Sequence, residues 1–86
     1  MKCVLRETKE FECFYLTENN IDEFIKWLNK NSNSNYKYEY LDWYEDCIKI
    51  YYEELSFDLD LNRWYVWKDF LYDYDEDVFN QIYRRI

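Results

Sequence analysis

The chain contains no glycine and no proline among its 86 residues. Glycine supplies positive backbone φ angles and proline fixes φ in turns, so reversals of this chain must depend on Asn, Asp and Ser. We therefore predict turns in the polar segment 29–35 and at Asn62-Arg63. The same absence excludes every glycine-rich phosphate loop, and with it the P-loop and dinucleotide-binding enzymes.

Apolar and aromatic residues are too abundant for a disordered acidic tail. They make up 49% of the chain, and aromatics alone make up 24%, although the mean hydropathy is −0.80. A domain of this size buries only about 60% of its unfolded surface. Large aromatic side chains compensate, because each one buries roughly 150–250 Å². We predict a single folded domain over residues 1–86.

Two N-terminal patterns predict a strand followed by a helix. Residues 10–15 alternate in polarity, which is typical of a strand. Asn20 stands where a helix N-cap is expected, with Glu23 three residues later as a variant of the capping box. The apolar spacing that follows predicts an amphipathic helix over about 21–30. Its apolar face comprises Ile21, Phe24, Ile25 and Leu28.

Residues 36–55 are compatible with two structures. Alternating apolar residues, many of them β-branched or aromatic, favour strands joined by a turn at Glu45-Asp46. A helical stripe from Leu41 to Leu55 fits the same residues, because no helix breaker interrupts it.

The segment after residue 55 predicts further strands. Phe57, Leu59 and Leu61 alternate with Asp58 and Asp60, which predicts one apolar and one acidic strand face. Residues 64–67 and 70–72 predict two more strands.

The C-terminus predicts a short helix. Asp75 or Asp73 is placed to cap a helix that reaches Tyr83, with Arg84 and Arg85 favourably near its C-terminal end. The predicted fold class is α+β: a small antiparallel sheet with one amphipathic helix on one face and a short C-terminal helix.

The residue types exclude most catalytic and metal sites. The chain has no histidine, and its three cysteines lack a CxxC spacing, so a zinc site of the usual kinds is not expected. No histidine means no side chain that ordinarily acts as a base near pH 7. We predict no enzymatic activity, no metal and no cofactor. No signal peptide or membrane span is recognisable, and the odd cysteine count fits a reducing cytoplasm.

Asp73, Asp75 and Asp77 superficially match the first ligands of a calcium loop. Such a loop also needs glycine at its sixth position and glutamate at its twelfth. Val78 and Arg84 occupy those positions here, so the motif fails. The three carboxylates are predicted to be a solvated capping cluster.

An opening strand and amphipathic helix are followed, near the end of the chain, by a strand, a tyrosine and a final helical turn. These features are carried by residues 11–28, Trp64-Tyr65-Val66, Tyr72, Asp77-Val78-Phe79 and Tyr83. In this order and spacing the chain resembles a family of small phage and prophage proteins of similar length. Where that family has glycines and prolines, this chain has Asn62-Arg63 and Asp73. The resemblance implies a mobile-element origin, in which small acidic proteins are often inhibitors, and it transfers no site residues.

Carboxylates are concentrated between Glu39 and Asp77. This segment holds thirteen of the nineteen acidic residues against three basic ones, so its formal charge is −10, whereas the whole chain carries −8. Such a charge disfavours direct nucleic-acid binding, which depends on contacts from Lys and Arg to phosphate. Carboxylates two residues apart on a strand are separated by roughly 6.5–7 Å, as neighbouring backbone phosphates are. The segment is therefore predicted to imitate a nucleic-acid backbone.

The expected partner is a basic host protein that handles nucleic acid, such as a CRISPR effector or another defence nuclease, which the chain would inhibit. Attraction between surfaces of opposite charge would speed association, and exposed aromatic residues would anchor the contact. The predicted partner-binding residues are Asp58, Asp60, Glu53, Glu54, Asp73, Asp75, Trp64 and Trp67, with Tyr40, Trp43, Tyr52 and Tyr74 as further aromatic candidates.

Two other functions stay open from the sequence. Stacked Trp and Tyr side chains with a few polar groups suit a pocket for a nucleotide or another small molecule. The surplus of aromatic residues also suits a structural subunit of a homo-oligomer, of which a homodimer is the simplest form.

Overall fold

The computed structural model of the chain describes residues 2–5, 9–40 and 46–85. The elements, in chain order, are β1 (Lys2–Leu5), β2 (Glu10–Leu16), α1 (Ile21–Ser32), β3 (Lys37–Tyr40), β4 (Cys47–Tyr52), β5 (Leu55–Asp60), β6 (Arg63–Trp67), β7 (Leu71–Tyr74), α2 (Glu76–Ile82) and β8 (Tyr83–Arg85). All strand pairs are antiparallel, and the predicted α+β class is confirmed.

The strands divide between two sheets, whereas a single small sheet was predicted. The main sheet has five strands in the order β7-β6-β2-β1-β8, and the small sheet has three in the order β3-β4-β5. One face of the main sheet packs against α1 and the small sheet, and its other face packs against α2. The molecule therefore has two hydrophobic cores, one on each side of the main sheet.

Strands β2 and β6 supply side chains to both cores. Successive side chains of a strand point to opposite faces. Tyr65 of β6 accordingly belongs to the core beneath α1, whereas its neighbours Trp64 and Val66 belong to the core beneath α2. This two-sided burial explains why β6 reads as a continuous apolar run rather than an alternation.

Helix α1 begins where the sequence predicts and ends two residues beyond the predicted boundary. Asn20 is the N-cap residue, but the predicted capping box does not form, because its side chain makes no bond to the helix. The side-chain amide of Asn20 instead accepts a hydrogen bond from the Thr17 N–H (2.8 Å) and donates one to the Tyr15 carbonyl (2.8 Å). Asn20 therefore fixes the turn between β2 and α1.

Non-glycine residues in the left-handed region carry the tight turns, as the missing glycine requires. Asn33 ends α1 with φ 53°, and Asn62 and Asp69 adopt φ 60° and φ 68° in later turns. Glu53 also has a positive φ, of 55°, between β4 and β5. Asn and Asp tolerate this region because their short side chains bond locally, whereas glutamate at such a position was not expected.

The ambiguity over residues 36–55 is resolved in favour of strands and turns in the part of this segment that the structure describes. Strands β3 and β4 pair with each other, and β4 pairs with β5. The predicted turn at Glu45-Asp46 lies partly outside the described residues. The predicted turn at Asn62 is present, but it carries the chain from the small sheet to the main sheet and does not form a hairpin.

The C-terminal helix is confirmed, with Asp75 as its cap. The Asp75 carboxylate accepts a hydrogen bond from the Val78 N–H (2.8 Å), which satisfies one of the free N–H groups at a helix start. The prediction for Arg84 and Arg85 was wrong. They extend β8 beside β1, with Arg84 opposite Val4, because the helix ends at Ile82 and the backbone becomes extended at Tyr83.

Aromatic stacking fixes α2 on the main sheet. Phe79, the buried residue of α2, lies parallel to the Trp64 ring with centroids 4.2 Å apart. Tyr83 in turn stacks on Phe79, with ring centroids 5.3 Å apart. All three side chains are at most 3% exposed.

Lys68 occupies the centre of an aromatic cage next to this core. Its Nζ atom lies between 4.9 and 5.5 Å from the ring centroids of Phe11, Tyr72, Tyr74 and Tyr83. The ammonium donates a hydrogen bond to the Tyr74 hydroxyl (3.0 Å), which lies 3.3 Å from the Tyr83 hydroxyl. The rings come from β2 and from the two edge strands of the main sheet, β7 and β8, so Lys68 links the two edges of that sheet.

The cage shifts the pKa of the groups inside it. Burial raises the pKa of Tyr83 to about 12. Burial alone lowers the pKa of Lys68, but hydrogen bonds to Tyr83 and Tyr74 outweigh it, so the pKa lies above its ordinary value. Folding therefore stabilises the neutral phenol and the charged ammonium.

We predict that Phe79→Ala destabilises the domain by about 3–5 kcal/mol, because it removes a stacked, fully buried ring and leaves a cavity. Urea unfolding monitored by circular dichroism measures the free energy. Val78→Ala, at the adjacent and 39% exposed position, is the control and is expected to change stability by less than about 0.5 kcal/mol. Equal effects of the two variants would contradict the assigned packing of α2.

We predict that Lys68→Met lowers the free energy of unfolding by about 0.5–2 kcal/mol, because a thioether of similar length replaces the cation among four rings. Lys68→Arg, which keeps the charge, is expected to lose less. Lys26→Met on the exposed side of α1 serves as the control. The cage assignment is wrong if Lys68→Met is as stable as Lys26→Met.

We predict that stability declines as the pH rises from about 10 towards 12. The raised pKa of Tyr83 gives a stabilising contribution that is complete below the unfolded value of 10.0 and disappears as the pH passes about 12. Tyr83→Phe has no phenol to ionise, so its stability is expected to fall less steeply. Urea unfolding across this pH range tests the difference, with Tyr52→Phe as the control. The prediction is refuted if the free energy of unfolding falls equally steeply with pH in the wild type and in Tyr83→Phe.

Candidate functional site

Strand β5 lies at the edge of the small sheet, with Asp58 and Asp60 exposed on it. Two hydrogen bonds fix how its backbone is oriented. The Leu61 N–H donates towards β4, to the Asp46 carbonyl (2.7 Å), whereas the Asp60 carbonyl accepts from the Tyr65 hydroxyl of the main sheet (2.7 Å). Because alternate residues of an antiparallel strand point their N–H and C=O groups to the same side, those of Ser56 and Asp58 point away from β4.

A cleft separates this edge from strand β7 of the main sheet. We call it the edge cleft; its volume is about 150 Å³. Its lining residues are Phe57, Asp58, Leu59, Asp60, Tyr65, Leu71 and Asp73. Three of the predicted partner-binding carboxylates, Asp58, Asp60 and Asp73, are thus brought together from two different sheets.

The edge cleft carries a net negative charge. Asp73 accepts a hydrogen bond from the Arg63 Nε atom at 2.8 Å, so one of the three carboxylates is already paired. Asp58 and Asp60 have no ion pair among the described residues. Burial raises the pKa of Tyr65 at the cleft floor, and the charges of Asp73 and Asp60 raise it further. The negative field therefore reaches from the rim to the base of the cleft.

The outer face of the small sheet is less acidic than the sequence predicts. Lys49 of β4 stands in register between Glu39 of β3 and Asp58 of β5. Its Nζ atom lies 3.9 Å from the Glu39 carboxylate. A cation in the central strand thus interrupts the predicted row of carboxylates, which leaves Asp58 and Asp60 as a short acidic pair at the edge.

Glu53 and Glu54 lie apart from the edge cleft. They form the turn between β4 and β5 and border a separate, open hollow of about 310 Å³. That hollow is lined by Glu39, Lys49, Tyr51, Glu53, Glu54, Leu55 and Ser56. Asp75 is also separate, since it caps α2 and does not line either hollow.

The expectation that Trp64 anchors a partner is wrong. Its side chain is 3% exposed and stacks on Phe79, because two-sided burial of β6 directs it into the core beneath α2. Trp67 is half-buried and packs against the opposite core. Tyr52 and Tyr74 are half-buried, and Trp43 lies outside the described residues.

Other large apolar side chains are exposed on β5 and around β7. Leu55 and Phe57 of β5 are 62% and 41% exposed, and Phe70 and Tyr72 around β7 are 71% and 45% exposed. The alternation of β5 assigned Phe57 to the core, as it did Leu59. Only the position of β5 at a sheet edge leaves Phe57 partly uncovered, and no local pattern signals that position.

An aromatic small-molecule pocket does not match either hollow. Drug-sized ligands occupy pockets of roughly 300–1,000 Å³ lined mainly by apolar and aromatic groups. The edge cleft is smaller, and the larger hollow has Tyr51 as its one aromatic residue. Neither contains a tryptophan.

Within residues 2–5, 9–40 and 46–85, no three Cys, Asp or Glu side chains converge to hold a metal ion. Cys3, Cys13 and Cys47 are buried free thiols. Among the helices that the structure describes, none has the length and apolar character to cross a membrane.

Comparisons with protein-family models, with curated proteins and with solved structures found no match to this chain.

Proposed function

We propose that the chain is a small acidic inhibitor of the phage type, which binds a basic, nucleic-acid-handling host protein through the edge cleft. A CRISPR effector or another defence nuclease in the host cytoplasm is the expected class of target. The observation that carries the proposal is the convergence of Asp58, Asp60 and Asp73 on one cleft that also presents Phe57 and Leu71.

Electrostatics support a basic partner. The chain carries −8 overall, and Asp58 and Asp60 are exposed and unpaired with any cation among the described residues. Attraction of this kind speeds association with a basic surface and weakens as salt is added. A basic groove that normally accepts phosphates is the natural complement.

The proposed mimicry is limited in extent. Asp58 and Asp60 are two residues apart on an extended strand, which separates them by roughly 6.5–7 Å. Lys49 and the Arg63–Asp73 pair border them. The carboxylates thus imitate a pair of adjacent phosphates rather than a long backbone, which suits a target with a localised phosphate-binding site.

Apolar contacts are expected to supply most of the binding energy. Binding energy usually concentrates in a few well-packed apolar or aromatic side chains that are shielded from water. Phe57, Leu55 and Phe70 are exposed apolar side chains on or beside the strands that border the cleft. We assign the anchoring role to Phe57, since it lines the cleft itself, instead of the tryptophan that the sequence favoured.

We predict that Asp58→Lys/Asp60→Lys abolishes inhibition and slows association with the target about tenfold or more, because it reverses the charge of the exposed pair. The assay co-expresses the chain with a panel of CRISPR effectors and restriction nucleases and measures plasmid interference. Binding kinetics to the inhibited member are then measured at low and high salt.

The matched control is Glu10→Lys/Glu23→Lys, which makes the same change in net charge at exposed positions away from the cleft. Circular dichroism verifies that both variants fold. The proposal fails if the Asp58→Lys/Asp60→Lys variant inhibits normally, or if the control loses inhibition equally, since the cleft would then have no special part.

A further inference from the structure

We infer that the partner supplies an extended basic segment, which pairs as an additional strand with the outer edge of β5. This inference rests on the proposed function and specifies how the edge cleft recognises its partner. In strand addition, the main chain of the edge provides the hydrogen bonds and alternate side chains provide the specificity.

The backbone of β5 is available for such pairing. The N–H and C=O groups of Ser56 and Asp58 point away from β4, and Asp58 lines the edge cleft. Within the part of the chain that the structure describes, no strand pairs with this side of β5. The four consecutive residues Leu55–Asp58 are all exposed. An uncovered edge of this kind is a template for another strand.

The side chains of β5 specify the composition of the added strand. Ser56, Asp58 and Asp60 point to one face of the small sheet, and Leu55 and Phe57 point to the other. Residues directly opposite each other across an antiparallel pair interact, and opposite charges stabilise the pair. The complementary segment therefore places Lys or Arg opposite Asp58, next to the charge of Asp60, and apolar residues opposite Leu55 and Phe57.

The length of the paired segment is limited at one end. The Tyr65 hydroxyl already donates to the Asp60 carbonyl, so that acceptor of the edge is occupied. Pairing is therefore confined to the part of β5 from Leu55 to Leu59. A short extended segment, such as a loop or a tail of a basic protein, fits this length.

A second copy of the chain is the competing occupant. Pairing of β5 with another β5 would bring the Asp58 carboxylates of the two copies close together on one face of the sheet, and such like-charge proximity is destabilising. The basic strand β8 avoids this repulsion, because it carries Arg84 and lies at the outer edge of the main sheet. Repeated contact of β8 with β5 would join copies head to tail, so mass measurements distinguish it from a foreign partner.

The test uses a short, capped peptide of alternating lysine and valine as the probe. Two derivatives carry N-methyl groups, one on every lysine and the other on every valine. They have the same charge and side chains, but each loses the N–H groups of a different backbone edge. Strand addition predicts that one derivative loses affinity by about tenfold or more while the other binds nearly as the parent does.

Hydrogen exchange measured by nuclear magnetic resonance locates the contact. Saturating peptide is expected to slow exchange of the Asp58 amide by about tenfold or more, because this N–H becomes bonded to the added strand. Asp58→Pro and Asp58→Asn both remove the charge, but proline also removes the N–H. Proline is tolerated where an edge N–H faces outward, so the folded Asp58→Pro variant is expected to bind more weakly than Asp58→Asn.

The inference is overturned if the parent peptide does not bind, if both N-methylated peptides bind alike, or if the Asp58 amide exchanges at an unchanged rate. In the last two cases the proposed function still stands whenever Asp58→Lys/Asp60→Lys loses inhibition. Light scattering completes the test. A mass that grows with concentration in the wild type but not in Asp58→Lys/Asp60→Lys assigns the edge to a second copy and overturns the inference.

Discussion

The structure depends on a sheet that is buried on both faces. Strands β2 and β6 contribute to two separate cores, so each of their buried side chains packs towards α1 and the small sheet or towards α2. A shift of one residue in either strand would exchange the two sets of side chains. The register between Cys13 and Val66 is thereby fixed by packing on both sides, and the elements around the sheet take their places from it.

Because most side chains of the main sheet pack in the two cores, a partner can contact the molecule chiefly at the sheet edges. The stacked aromatic residues that look suited to a binding surface, above all Trp64, serve the core beneath α2. The most exposed of the large apolar side chains lie where the two sheets end, on β5 and beside β7. The candidate site therefore arises from the meeting of two sheet edges, and both β5 and β7 contribute charged and apolar side chains to it.

Local patterns in the sequence predicted both helices and several strands, but they left residues 36–55 open, gave no signal for β1 or β8, and did not show which strands are neighbours. Periodicity located α1, and local side-chain chemistry offered Asp75 or Asp73 as the cap of α2, of which the structure has Asp75. The partition into two sheets depends on contacts distant in sequence, which no single pattern encodes. For the same reason Asp58 and Asp60 were recognised as an exposed pair, whereas their proximity to Asp73 and the interruption by Lys49 were not.

The pairing of β1 with β8 has a consequence for how the domain assembles. These strands are the first and the last that the structure describes, yet they lie side by side in the main sheet. Contacts between distant segments form slowly, because the chain must lose the entropy of closing a long loop before these contacts stabilise it. The small sheet, built from consecutive strands, has no such delay. During synthesis, then, β5 is complete before the main sheet closes, and its free edge is exposed to neighbouring chains while that sheet is still open.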